Sequence, residues 1–182
     1  MSRPELWRVM TGRKSTIPTD RMKWGSDNEY RAVAVAEAFG GIMYSQTGKA
    51  QKTHFLDAEG YKLRATPDGV FTDTTGYRSG LETKCPERLH DKVRPYIIAQ
   101  VQIQAFACDL AEITVCEWTY QGNRIWHVEP SSEYIDAARP LLTEFAGYVR
   151  DDKEPPRLGR APVMPAVNVT MMHEELLEDV PF

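Results

Sequence analysis

Residues Pro95 to Leu110 read PYIIAQVQIQAFACDL, with apolar side chains nearly all round a helical wheel and a proline where a first helical residue sits. A helix of this kind must be buried, which constrains what lies on either side of it. Upstream, SDNEYRAVAVAEAFG reads as a helix: Ser26 or Asp27 caps it, Glu29 falls in its first turn and Gly40-Gly41 ends it. THFLDAEGYKLRA and GVFTD alternate around Glu59-Gly60 as a hairpin leading into a third strand, and GLETK is a fourth. Downstream, EITVCEWTY and NRIWHVE alternate as two strands joined through Gln121-Gly122, and SSEYIDAARPLLTEFAGYV is a capped helix that Pro140 would kink. This order predicts an α/β fold: a mixed central sheet flanked by helices.

With 182 residues and 42% apolar content the chain can enclose one substantial core. No window approaches the roughly 20 apolar residues of a membrane span, and MSRPELWRVM has no apolar run of the secretion-signal type. The expectation is a cytoplasmic protein of a bacterial host cell, without a membrane partner. Cys85, Cys108 and Cys116 form no Cys-x-x-Cys, so reduced, packed thiols are expected rather than disulfides or zinc. From Asp151 onward seven acids face three bases, a net −4 that equals the charge of the whole chain. The body is therefore neutral, yet its first 24 residues carry Arg3, Arg8, Arg13, Lys14, Arg21 and Lys23 against Glu5 and Asp20. That segment is either a solvated basic terminus or a surface for a polyanion.

The chemistry concentrates in ATPDGVFTDTTGYRSGLETKCP, Ala65 to Pro86. On a strand Glu82 and Lys84, two residues apart, project from one face while Thr83 points away. Asp68 begins a neighbouring strand, and Gly69 permits close backbone approach there. If the two strands pair, Asp68 and Glu82 converge on one cation, with the Thr83 carbonyl as a third oxygen; such a set suits Mg²⁺. The ion would polarise a phosphoryl oxygen and acidify a bound water, with Lys84 orienting that water or stabilising charge on the phosphate. The plain alternative is a surface ion pair of Glu82 with Lys84 and a turn residue at Asp68. In the buried helix, Gln100 and Gln104 share a face and Gln102 points elsewhere, so at most two of the three reach one pocket; otherwise these amides bridge buried backbone.

The run NEYRAVAVAEAF, TPDGVF, GLETKCP and YIIAQVQIQ resembles the lambda exonuclease or YqaJ-type viral recombinase branch of the PD-(D/E)XK nucleases, over about residues 25–149. The resemblance implies a restriction-endonuclease-like core whose active site comprises Glu29, Asp68, Glu82, Lys84 and Gln100. It implies two Mg²⁺ ions, or Mn²⁺ in their place, with Asp68, Glu82 and Thr83 as ligands. It also implies hydrolysis of linear double-stranded DNA from a 5′ end, leaving a 3′ single strand for an annealing protein, by a ring-shaped homotrimer. The family carries an arginine before the glutamate helix that grips the 5′-phosphate; Arg8 and Arg13 are the candidates here. The loop between Asp68 and Glu82 is somewhat longer than in the phage enzyme.

His54, His90, His127 and His173 have no metal-ligand spacing and read as ordinary structural or surface residues, and Trp7, Trp24, Trp118 and Trp126 as core. No four-cysteine set supports an iron–sulfur cluster. Residues 151–182 are Pro-rich and then acidic, which predicts a flexible tether with a sticky tip after a basic segment (1–24) and a nuclease domain (25–150). The terminal EELLEDVPF is similar to the acidic tip of bacterial single-stranded-DNA-binding proteins, which implies that Asp179, Val180, Pro181 and Phe182 dock on host proteins. Two rivals to the exonuclease reading follow: an endonuclease of the same fold, and a non-enzymatic adaptor acting through that tip.

Overall fold

The structure, a computed structural model, describes residues 2–58 and 60–177. In chain order its elements are α1 (Arg3–Met10), α2 (Asp20–Gly40), β1 (His54–Ala58), β2 (Tyr61–Ala65), β3 (Gly69–Thr72) and β4 (Arg78–Lys84). They continue with α3 (Pro95–Cys108), β5 (Glu112–Thr119), β6 (Gly122–Val128), α4 (Ser132–Arg150) and β7 (Val169–Leu176). β1 and β2 form a separate hairpin against α3, whereas β3 to β7 form one mixed sheet in that order. Only β4 and β5 run parallel within it, and a parallel pair needs a crossover, which α3 supplies.

The sheet is covered on both faces. Ile97, Val101 and Ala105 of α3 pack on Ile113, Val115, Trp126 and Val128, while Ala32, Val33 and Ala36 of α2 pack on Leu81, Cys116 and Ile125. Neighbouring residues Val115 and Cys116 thus serve opposite layers, as strand alternation requires. Each fully buried aliphatic side chain contributes about 1.5–3 kcal/mol, so these two clusters hold both helices to the sheet. Among the described residues no helix is long and apolar enough to cross a membrane.

Three segments differ from the sequence expectation. α2 starts at Asp20, with the Thr19 hydroxyl accepting the Met22 N–H at 3.2 Å, so Ser26 and Asp27 lie inside the helix rather than capping it. Gly25 does not break it, since an interior glycine costs only about 1 kcal/mol. The first half of the basic N-terminal segment packs against α4 instead of lying free. Ser2 and Glu5 form a capping box for α1, the Trp7 indole donates to the Tyr148 carbonyl at 3.1 Å, and Arg3, Arg8 and Arg13 pair with Glu144, Glu154 and Asp152. Half of the segment's six bases are thus matched by acids around the end of α4.

The tether expected over 151–182 holds an eight-residue strand instead. β7 pairs antiparallel with β6, and Glu174 and Glu175 bond Arg124 and Asn123 across the ladder. Backbone hydrogen bonds and charge pairs hold this strand although nearly all its side chains are exposed. The tip at Asp179, Val180, Pro181 and Phe182 lies outside the described residues.

Gly122 opens β6 with φ +138°, and a methyl group there would overlap the Glu175 backbone carbonyl. Gly122→Ala should therefore lower stability by about 1–3 kcal/mol in urea denaturation and speed hydrogen exchange over 169–176. Parent-like stability and exchange would show that this junction is not constrained.

Candidate active site

The C-terminal end of β4 opens into a cleft of about 830 Å³ that gathers Glu29, Asp68, Glu82, Thr83, Lys84 and Gln100. Along β4, Glu82 and Lys84 face α3, whereas Leu81 and Cys85 join the α2 layer. Asp68 sits at the margin between the layers, its N–H donating to the Leu81 carbonyl at 2.9 Å. Its Oδ2 accepts the Thr83 N–H at 2.7 Å and the Thr83 hydroxyl at 2.8 Å. The Gln51 Nε2 bridges the other oxygen of Asp68 (3.1 Å) and Oε1 of Glu29 (2.9 Å).

Glu82 is 1% exposed and surrounded by donors. Its Oε1 accepts from Lys84 Nζ and from Gln100 Nε2 (2.7 Å), and its Oε2 from Gln104 Nε2 (2.7 Å). Two of the three helix amides thus reach Glu82. Gln102 turns away, donating to the Glu129 carbonyl at 2.8 Å and accepting from the Ser131 N–H at 2.7 Å. It locks α3 to the start of α4, which is the bridging role open to such an amide.

The electrostatics of the cleft are those of crowded carboxylates. Burial, and then the charge of Asp68, push Glu82 up to about 7 against the pull of Lys84 and Gln104. Burial and Asp68 also raise Glu29. Burial on its own would lower Lys84, but the charge and hydrogen bond of Glu82, with Asp68, raise it, so the ammonium is kept. Three acids therefore crowd around one lysine at the end of β4, a local excess of negative charge that a divalent cation would offset.

Among the described residues no three His, Cys, Asp or Glu side chains already close on one point as a finished metal cage. The donor chemistry still fits a hard ion: Asp68 and Glu82 offer carboxylate oxygens beside the Thr83 backbone, with Glu29 near by. Gln51 and Lys84 occupy carboxylate lone pairs, as hydrogen-bond donors do where a cation would otherwise sit.

Several cleft residues carried no readable signal in the sequence. Gln51 reaches Glu29 and Asp68 from a loop that lines an adjoining pocket, and Arg21, Arg88, His90, Arg94 and Glu117 are brought into the cleft from α2, the 85–94 segment and β5. His90 takes the structural of its two expected roles: its Nδ1 lies 2.9 Å from Oε1 of buried Glu117. Arg8 and Arg13, the candidates for a phosphate grip, are tied to Glu154 and Asp152, whereas Arg21 lines the cleft and pairs, among the described residues, with an exposed Glu87. Arg21 lies in the first turn of the glutamate helix itself, not before it, because α2 begins at Asp20.

No family model and no curated protein matches the sequence. Solved structures do match the fold. The alkaline exonuclease LHK-Exo from Laribacter hongkongensis superposes with a TM-score of 0.65 at 19% identity, over 82% of this chain and 78% of that one. The same exonuclease in complex with dAMP gives 0.64 over the same shares. The protein SSO0001 gives 0.58 at 12% identity, over 86% of this chain and 75% of that one. The chain has the α/β fold of these proteins, with its mixed five-stranded sheet between α2 and α3.

Proposed function

We propose that this chain is a Mg²⁺-dependent DNA exonuclease of phage-type recombination that digests linear duplex from its 5′ ends and leaves 3′ single strands for an annealing protein. The observation that carries the reading is the convergence of Glu29, Asp68, Glu82, Lys84 and Gln100 in one cleft, on a fold shared with an alkaline exonuclease. Asp68, Glu82 and the Thr83 carbonyl would hold the metal, one or two ions of Mg²⁺ or Mn²⁺. When bound, it would polarise the scissile phosphate and acidify a water.

The protein's own groups do the rest. Thr83 fixes Asp68, while Gln100 and Gln104 fix Glu82, so both carboxylates are oriented before substrate arrives. Lys84 leaves Glu82 for the phosphate and meets the charge that develops on its oxygens. Gln51 gives up its bridge between Glu29 and Asp68. The same reading makes the active form a homotrimer, and assigns the terminal Asp179, Val180, Pro181 and Phe182 to host proteins.

Arg21 is placed to grip a 5′-phosphate. Its exposed pairing with Glu87 is worth little and is readily exchanged for a phosphate. Arg21→Ala should cost about 1.5–3 kcal/mol, roughly 10- to 100-fold in kcat/KM, on 5′-phosphorylated ends. On 5′-hydroxyl ends it should cost little. Equal losses on both ends would remove Arg21 from this role.

The reading as a whole is tested with 5′- and 3′-labelled linear duplex, with and without Mg²⁺, beside a covalently closed circle. Release of 5′-labelled mononucleotide only with Mg²⁺, and an intact circle, are expected. Rapid cutting of the circle would replace the exonuclease by an endonuclease, and no metal-dependent cleavage would leave only an adaptor.

A further inference from the structure

Glu117 is a buried charge for which the hydrolytic step has no use. It lies on β5 beside Lys84 in register, is 1% exposed, and lines the same cleft. Removing a carboxylate from water costs several kcal/mol unless donors replace the lost solvent. His90 provides them: its backbone N–H donates to Glu117 Oε2 at 3.0 Å, and its Nδ1 sits 2.9 Å from Oε1. Because an ionised carboxylate only accepts, Nδ1 donates to Glu117, and in the neutral ring Nε2 then carries a lone pair. That lone pair meets Nη2 of Arg94, which can only donate. The three side chains form a chain with one possible direction: Arg94 donates to His90, and His90 donates to Glu117.

Arg94 ends this chain in the cleft, with Lys84, Arg88 and Gln100. Among the described residues neither Arg94 nor Arg88 forms an ion pair, unlike Arg21 or Arg124. Four of the five guanidinium donors of Arg94 remain for another partner. A fixed, unneutralised guanidinium beside a phosphodiester-cleaving site suits a strand phosphate. It also explains why a carboxylate is buried behind it: the anchor holds the ring, and the ring selects one position of a long, otherwise mobile side chain.

We propose that Glu117 and His90 are positioning residues that hold Arg94 as a clamp on a backbone phosphate of the bound DNA strand, distinct from the terminal phosphate met by Arg21. The proposal rests on the nuclease reading of the cleft. It predicts that Arg94 acts on every substrate strand, whether or not its end is phosphorylated.

The test is binding of 3′-labelled duplex, in EDTA to prevent turnover, over a range of salt, for the parent, Arg94→Ala, His90→Ala and the double variant. Arg94→Ala should weaken binding roughly tenfold, equally for 5′-phosphate and 5′-hydroxyl ends. It should also reduce the slope of log affinity against log salt by about 0.9, the value of one phosphate contact. His90→Ala should reproduce most of that loss in the parent and add almost nothing in the Arg94→Ala background. Arg94 is exposed, so its variant keeps the test open if His90→Ala melts early. An unchanged salt slope for Arg94→Ala, or an equal effect of His90→Ala in both backgrounds, overturns the clamp. If the parent cuts labelled duplex but these variants bind like it, only this inference fails. If the parent neither binds nor cuts DNA, the nuclease reading fails and the clamp with it.

Discussion

Glu82→Ala and Lys84→Ala proteins should fold like the parent and degrade linear duplex roughly 10²–10³-fold more slowly or not at all. The two side chains share a hydrogen bond, but their loss should act differently. Without Glu82 the cleft loses its most enclosed oxygen donor, so the Mg²⁺ dependence of activity and of melting should both disappear. Without Lys84 the carboxylates remain, held by Gln100, Gln104 and Thr83, so Mg²⁺ should still raise the melting temperature while turnover falls. Folding should survive because Lys84 is a quarter exposed and can turn to solvent when Glu82 is absent. Parent-like digestion by either variant would remove the pair from the mechanism.

Activity should also climb with pH through neutrality. Glu82 is pushed up to about 7 by burial and by Asp68, so below that pH a proton competes for the oxygens the metal needs. The Mg²⁺ concentration for half-maximal rate should rise up to about tenfold for each pH unit below 7 and level off above it. The stability linkage has the opposite direction in metal-free protein. A carboxyl whose folded value exceeds its unfolded 4.5 contributes stability that is complete below 4.5 and lost as the pH passes about 7. Mg²⁺ should therefore raise the melting temperature more at pH 8 than at pH 6. A Mg²⁺ requirement that does not change between those values would show that Glu82 is not the controlling ligand.

How much of this was legible in the sequence follows from how local each signal is. The two-residue spacing of Glu82 and Lys84 fixes their shared face on any strand, and the four-residue spacing of Gln100 and Gln104 does the same on a helix. Those placements required no knowledge of the tertiary fold. α1 had a local signal as well, the Ser-x-x-Glu box with a proline inside it. β7 had none, because it is stabilised by a ladder and charge pairs on β6 some fifty residues away rather than by an apolar period of its own. Gln51 and Glu117 are likewise defined only by what the sheet and the 85–94 segment bring to them. His90 looked ordinary because its partner lies on a strand not yet formed when a sequence is read.

The cleft draws on both helical layers at once: Glu29 hangs from α2, Glu82 is gripped by two amides of α3, and Asp68 lies on the sheet margin between them. A chain with either helix undocked has an incomplete set of ligands. If the proposed nuclease reading holds, emerging or heat-loosened molecules are harmless to DNA around them, and cutting power arrives as a late product of maturation, switched on by closure of the whole sandwich.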